Sequence, residues 1–102
     1  MQLRNPNLLR GESYIAGIWQ PGEDLQTFAV LNPATGETIL NVADLNDRDA
    51  ERAIAAAHAA KPAWAALTVK ERAKLLRRWF DLIMENQDDL ALILTTEQGK
   101  PL

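Results

Sequence analysis

The chain changes its hydrophobic rhythm once. Before about residue 45, apolar residues come in short bursts closed by turn formers; after it they recur every three or four positions. Tyr14-Ile15-Ala16-Gly17-Ile18-Trp19 mixes β-branched and aromatic residues and stops at Pro21-Gly22, which predicts one strand. Thr27-Phe28-Ala29-Val30-Leu31 predicts a second strand and Thr38 to Ala43 a third. Between these two, Asn32-Pro33-Ala34-Thr35-Gly36 reads as a turn. Proline sets φ early and glycine supplies a positive φ late, so residues 27–43 form a candidate hairpin.

The second half predicts three helices. Asn46 or Asp47 can cap the first, and Asp49 and Glu51 sit near its positive end. Ala50, Ala53, Ile54 and Ala57 carry its spacing. Pro62 is expected to end or bend it, because proline lacks an N–H and restricts Lys61. Trp64 and Leu67 then cover its exit. Thr68-Val69-Lys70-Glu71 has the form of a capping box and opens the second helix. Val69, Ala73, Leu76, Phe80 and Ile83 make its apolar stripe; Leu75, Trp79 and Leu82 widen it, which implies packing on more than one side. Asn86-Gln87-Asp88-Asp89 can cap the third helix, whose inward residues are Leu90, Ile93 and Leu94. Gly99 suits the left-handed stop, with Pro101 just beyond.

Composition narrows the chemistry. At 102 residues, with 47% apolar and 25% charged residues, the chain has room for one small domain of marginal stability. Eleven Lys and Arg against fourteen Asp and Glu leave a net charge of -3, which disfavours nucleic acid. No apolar run is long enough for a bilayer, and Met1 to Pro6 lacks a secretory apolar stretch; no membrane partner and a cytoplasmic setting are the expectations. The chain has no cysteine, so it offers no disulfide, thiolate ligand or thiol nucleophile, and its one histidine, His58, rules out a two-histidine metal site.

Each remaining candidate has a plainer explanation. His58 lies among alanines with no evident orienting partner, which favours a surface or packing role over a general base. Asp88 and Asp89 resemble paired carboxylates, but helix capping and dipole complementarity account for both. Lys70, Arg72, Lys74, Arg77 and Arg78 form a basic cluster that a solvated face paired with Glu71, Asp81 or Glu85 explains without a phosphate or a membrane. Trp19, Trp64 and Trp79 read as core anchors rather than a ligand cleft. No Gly-rich phosphate loop is present. The residues therefore give no catalytic, cofactor-binding or metal residue.

In order along the chain, Tyr14 to Trp19, Asn32-Pro33-Ala34-Thr35-Gly36-Glu37, Ala53-Ile54-Ala55-Ala56-Ala57, Pro62-Ala63-Trp64, Lys70-Glu71-Arg72-Ala73 and Glu97-Gln98-Gly99-Lys100-Pro101-Leu102 resemble the amino terminus of aldehyde dehydrogenases. The stretches Ala65 to Ala73 and Gln87 to Ala91, with Gln98, are most similar to succinate-semialdehyde dehydrogenases. The resemblance implies an α/β parent. Residues 1–102 would be the amino-terminal part of its cofactor-binding domain, an α+β segment with short antiparallel strands (1–45) followed by about three helices (46–102). The parent would oxidise succinic semialdehyde to succinate with NADP or NAD. A cysteine thiolate would attack the carbonyl, an asparagine amide and a backbone N–H would hold the oxyanion, and a glutamate would activate water.

None of those groups maps onto residues 1–102. The expectation is a scaffold segment, inactive and cofactor-free alone, whose partners are the rest of the parent enzyme and further copies in a homo-oligomer. The resemblance also implies that backbone oxygens near Val30-Leu31 and Glu97 lie where some relatives bind a monovalent cation. The alternative is a small non-enzymatic helical interaction module.

Overall fold

The computed structural model describes all residues, 1–102. Two separate antiparallel hairpins precede three helices. The first hairpin corrects the expectation of one strand from Tyr14 to Trp19. Strand β1 (Ser13–Ile15) pairs with β2 (Ile18–Gln20), and Tyr14 lies opposite Trp19. The chain reverses at Ala16 and Gly17, with φ of 53° and 81°. Two successive positive φ values make the tight turn whose twist matches paired strands. The sequence conceals it because alanine rarely accepts a left-handed backbone. The Tyr14 and Trp19 rings lie 5.2 Å apart, and the Arg10 guanidinium stacks 4.9 Å from the Trp19 ring.

Strands β3 (Thr27–Leu31) and β4 (Thr38–Ala43) form the expected second hairpin. Leu31 faces Thr38 and Val30 faces Leu40, so Ile39 is the extra residue of a bulge. Asn32 organises the turn. Its side-chain oxygen accepts from Ala34 N–H (2.9 Å) and its carbonyl from Gly36 N–H (2.8 Å). Gly36 has the positive φ, 76°, that closes it.

Helix α1 (Asp47–Ala66) runs through Pro62, which does not end it. A proline removes only its own N–H bond and presses on the carbonyl one turn earlier. Here that turn is alanine-rich and exposed, with room to adjust. Helix α2 (Val69–Glu85) opens with the capping box read from the sequence. Thr68 Oγ1 accepts from Glu71 N–H (3.2 Å), and Glu71 Oε2 accepts from Thr68 N–H (2.7 Å). Helix α3 (Gln87–Gln98) ends at Gly99, whose φ is 73° and whose N–H reaches Thr95 O at 2.9 Å.

These elements enclose almost nothing. Ile15 is the one buried apolar residue of the chain. The radius of gyration is 16.6 Å, against about 13 Å for a compact chain of this length. The molecule is a slab of 48 × 35 × 19 Å. No helix is long and apolar enough to cross a membrane.

Candidate functional site

Two aspartates, not the expected histidine or tryptophans, are the buried polar groups. Asp49 is fully buried at the third position of α1. Its carboxylate accepts from Asn46 N–H (3.0 Å), from Glu23 N–H (3.1 Å) and from the Arg52 guanidinium. Arg52 continues the chain of bonds to Gln20 Oε1 at 3.1 Å. The bond from Arg52, reinforced by Asn46 and Glu23 N–H, holds the Asp49 carboxyl below the usual range against the opposing effect of burial. The knot thereby ties β2 and the loop after it to the start of α1. The sequence suggested only a dipole role for Asp49, although Asn46-x-x-Asp49 has capping-box spacing.

Asp89 lies in the first turn of α3, where its charge suits the helix dipole, but it does not cap that helix, which corrects the capping part of the reading. Its two oxygens accept from the N–H groups of Arg4 (3.0 Å) and Asn5 (2.8 Å), at the opposite end of the sequence. Those two backbone bonds hold its carboxyl low. Asn86 is the cap residue of α3 but makes no side-chain cap bond there. Asp88 is exposed and pairs with Arg4 at 3.3 Å.

His58 is exposed on α1. The basic cluster of α2 is largely a solvated face, with Arg77 on Asp81 and Arg78 on Glu85, each at 3.5 Å. Arg72 departs from it: it turns back to cap the end of α1, donating to the carbonyls of Leu67 and Ala65. Trp19, Trp64 and Trp79 are 41%, 42% and 64% exposed, which overturns the core-anchor reading. Leu94, expected to face inward, is exposed as well. Val30 is half-buried, Leu31 and Glu97 are exposed, and a Cβ on Gly99, just past α3, would lie 3.1 Å from Pro33 Cγ of the hairpin turn.

No group of three or more His, Asp or Glu side chains is placed to hold a metal ion. An open depression lies beside the first turns of α1. Its walls are Glu23, Arg48, Glu51 and Arg52 with Ala55. Arg48 already faces Glu23 (3.6 Å) and Arg52 faces Asp49, so phosphates would meet carboxylates rather than free cations.

What the chain does present is an uncovered apolar face. On α2, Val69, Leu75, Leu76, Trp79, Phe80, Leu82 and Ile83 are all exposed. Single exposed apolar residues are ordinary; a contiguous helical face marks a surface built to be covered. No other element of this chain covers the broad α2 stripe.

Residues 19–102 match the model of the aldehyde dehydrogenase family. The chain belongs to that family. It is 55% identical over 102 residues to glutarate-semialdehyde dehydrogenase of Pseudomonas putida, covering 100% of this chain and 21% of the relative. It is 47% identical over 102 residues to the NADP(+) succinate-semialdehyde dehydrogenase of Escherichia coli, with the same two coverages, 100% and 21%. The crystal structure of succinate-semialdehyde dehydrogenase from Burkholderia pseudomallei superposes with a TM-score of 0.91 at 50% identity, over 94% of this chain and 20% of that one. This aldehyde dehydrogenase chain thus spans about a fifth of the length of the relatives it matches. Its strands-then-helices order is the α+β segment expected inside an α/β enzyme.

Proposed function

We propose that these residues are the amino-terminal scaffold of an enzyme that oxidises a short carboxylate-bearing semialdehyde, succinic or glutaric, to the diacid with NADP or NAD. The observation that carries the reading is the outward apolar face of α2 on a chain with one buried apolar side chain. Such a surface needs a larger body against it, and the enzymes this chain resembles are about five times as long. The two semialdehydes share an aldehyde at one end and a carboxylate at the other. The relatives' names support that substrate class, and the Escherichia coli relative's name favours NADP.

In this reading the 102 residues neither bind the cofactor nor touch the substrate. They position the body that does, while the nucleophile, oxyanion donors and base come from outside them. A cytoplasmic setting and a homo-oligomeric parent belong to the same proposal, on the strength of the family resemblance.

The test compares the whole protein with the isolated 102 residues, supplying succinic and glutaric semialdehyde with NADP and with NAD. The whole protein turns over at least one pair, and the isolated segment turns over none. Measurable turnover by a homogeneous sample of the segment overturns the scaffold reading. A whole protein inert on both aldehydes overturns the substrate class.

A further inference from the structure

We propose that residues 1–11 form a clasp that fixes the β3–β4 hairpin to the first turn of α3, with Asp89 as its lock. The segment is shaped before it docks. Asn5 Oδ1 accepts from Asn7 N–H (3.2 Å), Leu9 N–H bonds Pro6 O (3.2 Å), and Arg10 Nε bonds Asn7 O (2.9 Å) around the single 3-10 turn Pro6–Leu8. At its far end, Gly11 O accepts from Ala43 N–H at 2.7 Å. Gly11 lies so close to β4 that a Cβ there would stand 2.5 Å from Asn41 O, so only glycine permits this crossing. At its near end, both oxygens of Asp89 are taken by Arg4 and Asn5 N–H.

The hairpin and α3 also meet at their other ends. A Cβ on Gly99 would lie 3.1 Å from Pro33 Cγ. Hairpin, clasp and α3 thus close a ring around a cavity of about 210 Å³, walled by Met1 and Leu9 from the clasp, Asn32, Glu37, Thr38 and Ile39 from the hairpin, and Thr96 from α3. Asp89 makes no bond to an N–H of its own helix; both hydrogen bonds of its carboxylate go to the clasp, and α3 gains from it only a negative charge in the first turn. The Arg4–Asp88 pair beside it is 84% and 75% exposed and contributes little.

Opening the lock therefore frees the clasp while the β3–β4 ladder and α3 keep their own backbone bonds. Amide hydrogen exchange on the whole protein tests this with Asp89→Ala, using Asp88→Ala as the control. Asp89→Ala speeds exchange across residues 3–9 and at Ala43 by about tenfold or more, the scale set by losing bonds to a charged acceptor. Exchange within α3 stays as it was, and Asp88→Ala changes nothing. Unchanged protection of residues 3–9 in Asp89→Ala overturns the proposal, as does a loss that spreads through α3. If Asp89→Ala does not fold, Asp89→Asn keeps one acceptor oxygen and gives an intermediate exchange rate at residues 3–9; a rate equal to that of the unaltered protein overturns the lock.

Discussion

Asn46 and Asp49 cap each other. Asn46 Oδ1 accepts from Asp49 N–H at 2.9 Å, and Asp49 Oδ2 accepts from Asn46 N–H at 3.0 Å. The two partners are unequal in what else they hold. Asn46 donates its amide to the exposed Asp24 carboxylate, whereas Asp49 also takes Glu23 N–H and Arg52. Asn46→Ala is expected to cost about 1 kcal/mol, the ordinary loss of a helix cap. Asp49→Ala costs more, because it strips a buried acceptor from two backbone donors and a guanidinium. Equilibrium denaturation of the whole protein ranks the two variants, and an equal loss would mean that the Glu23 and Arg52 bonds add nothing.

The same carboxylate sets an acid limit. Asp49 and Asp89 both titrate below the ordinary carboxyl value of 3.8 when folded. The unfolded chain therefore binds protons first as pH falls, and acid favours unfolding. Their contribution is complete above about pH 5 and is lost as pH drops through the unfolded and then the folded values. A doubly substituted Asp49→Asn, Asp89→Asn protein is expected to be less stable at pH 7 but to lose less on going from pH 5 to pH 3. A parallel loss in both proteins would place the acid sensitivity elsewhere.

Pro62 offers a test of opposite sign. It lies in the fifth turn of a continuous helix and is exposed. Proline inside a helix is disfavoured by up to about 3 kcal/mol relative to alanine. Pro62→Ala restores an N–H toward the His58 carbonyl, so it is expected to stabilise the end of α1 and raise the denaturation midpoint. A fall in the midpoint would show that the ring packs against the covering body, and that α1 is held by tertiary contact there.

The uneven legibility of this chain has physical causes. The cap at Thr68, the turn at Asn32 and the stop at Gly99 were readable because each closes its bonds within a few residues. The Ala16-Gly17 reversal was hidden by an alanine held at positive φ, a conformation imposed by the pairing of Tyr14 with Trp19 rather than by local preference. The bonds from Asp89 to Arg4 and Asn5 cross 85 and 84 positions, and no local pattern reports them. The tryptophans misled for a related reason. Their size marks them as anchors, but no other part of this chain covers them. The breadth of the α2 stripe did carry that information, since a single-sided helix needs only a narrow face.

That stripe gives the sharpest separation between a scaffold and a self-sufficient domain. Trp79 is 64% exposed and Ile83 42% exposed in this chain. In the isolated 102 residues, Trp79→Glu and Ile83→Glu remove apolar surface from water and introduce charges that water solvates. They are expected to reduce self-association by sedimentation and to weaken binding of a hydrophobic dye, with little loss of helix content. On the proposed scaffold reading, the same positions in the whole protein lie under a covering body. A glutamate there would be buried without a partner and the apolar packing lost, a penalty on the order of 3–5 kcal/mol. The expected outcome is a better-behaved segment and a poorly folding enzyme from the same substitution. A whole protein that folds and turns over normally with Trp79→Glu and Ile83→Glu combined would show that α2 faces water in the enzyme, and would remove the argument that this face exists to be covered.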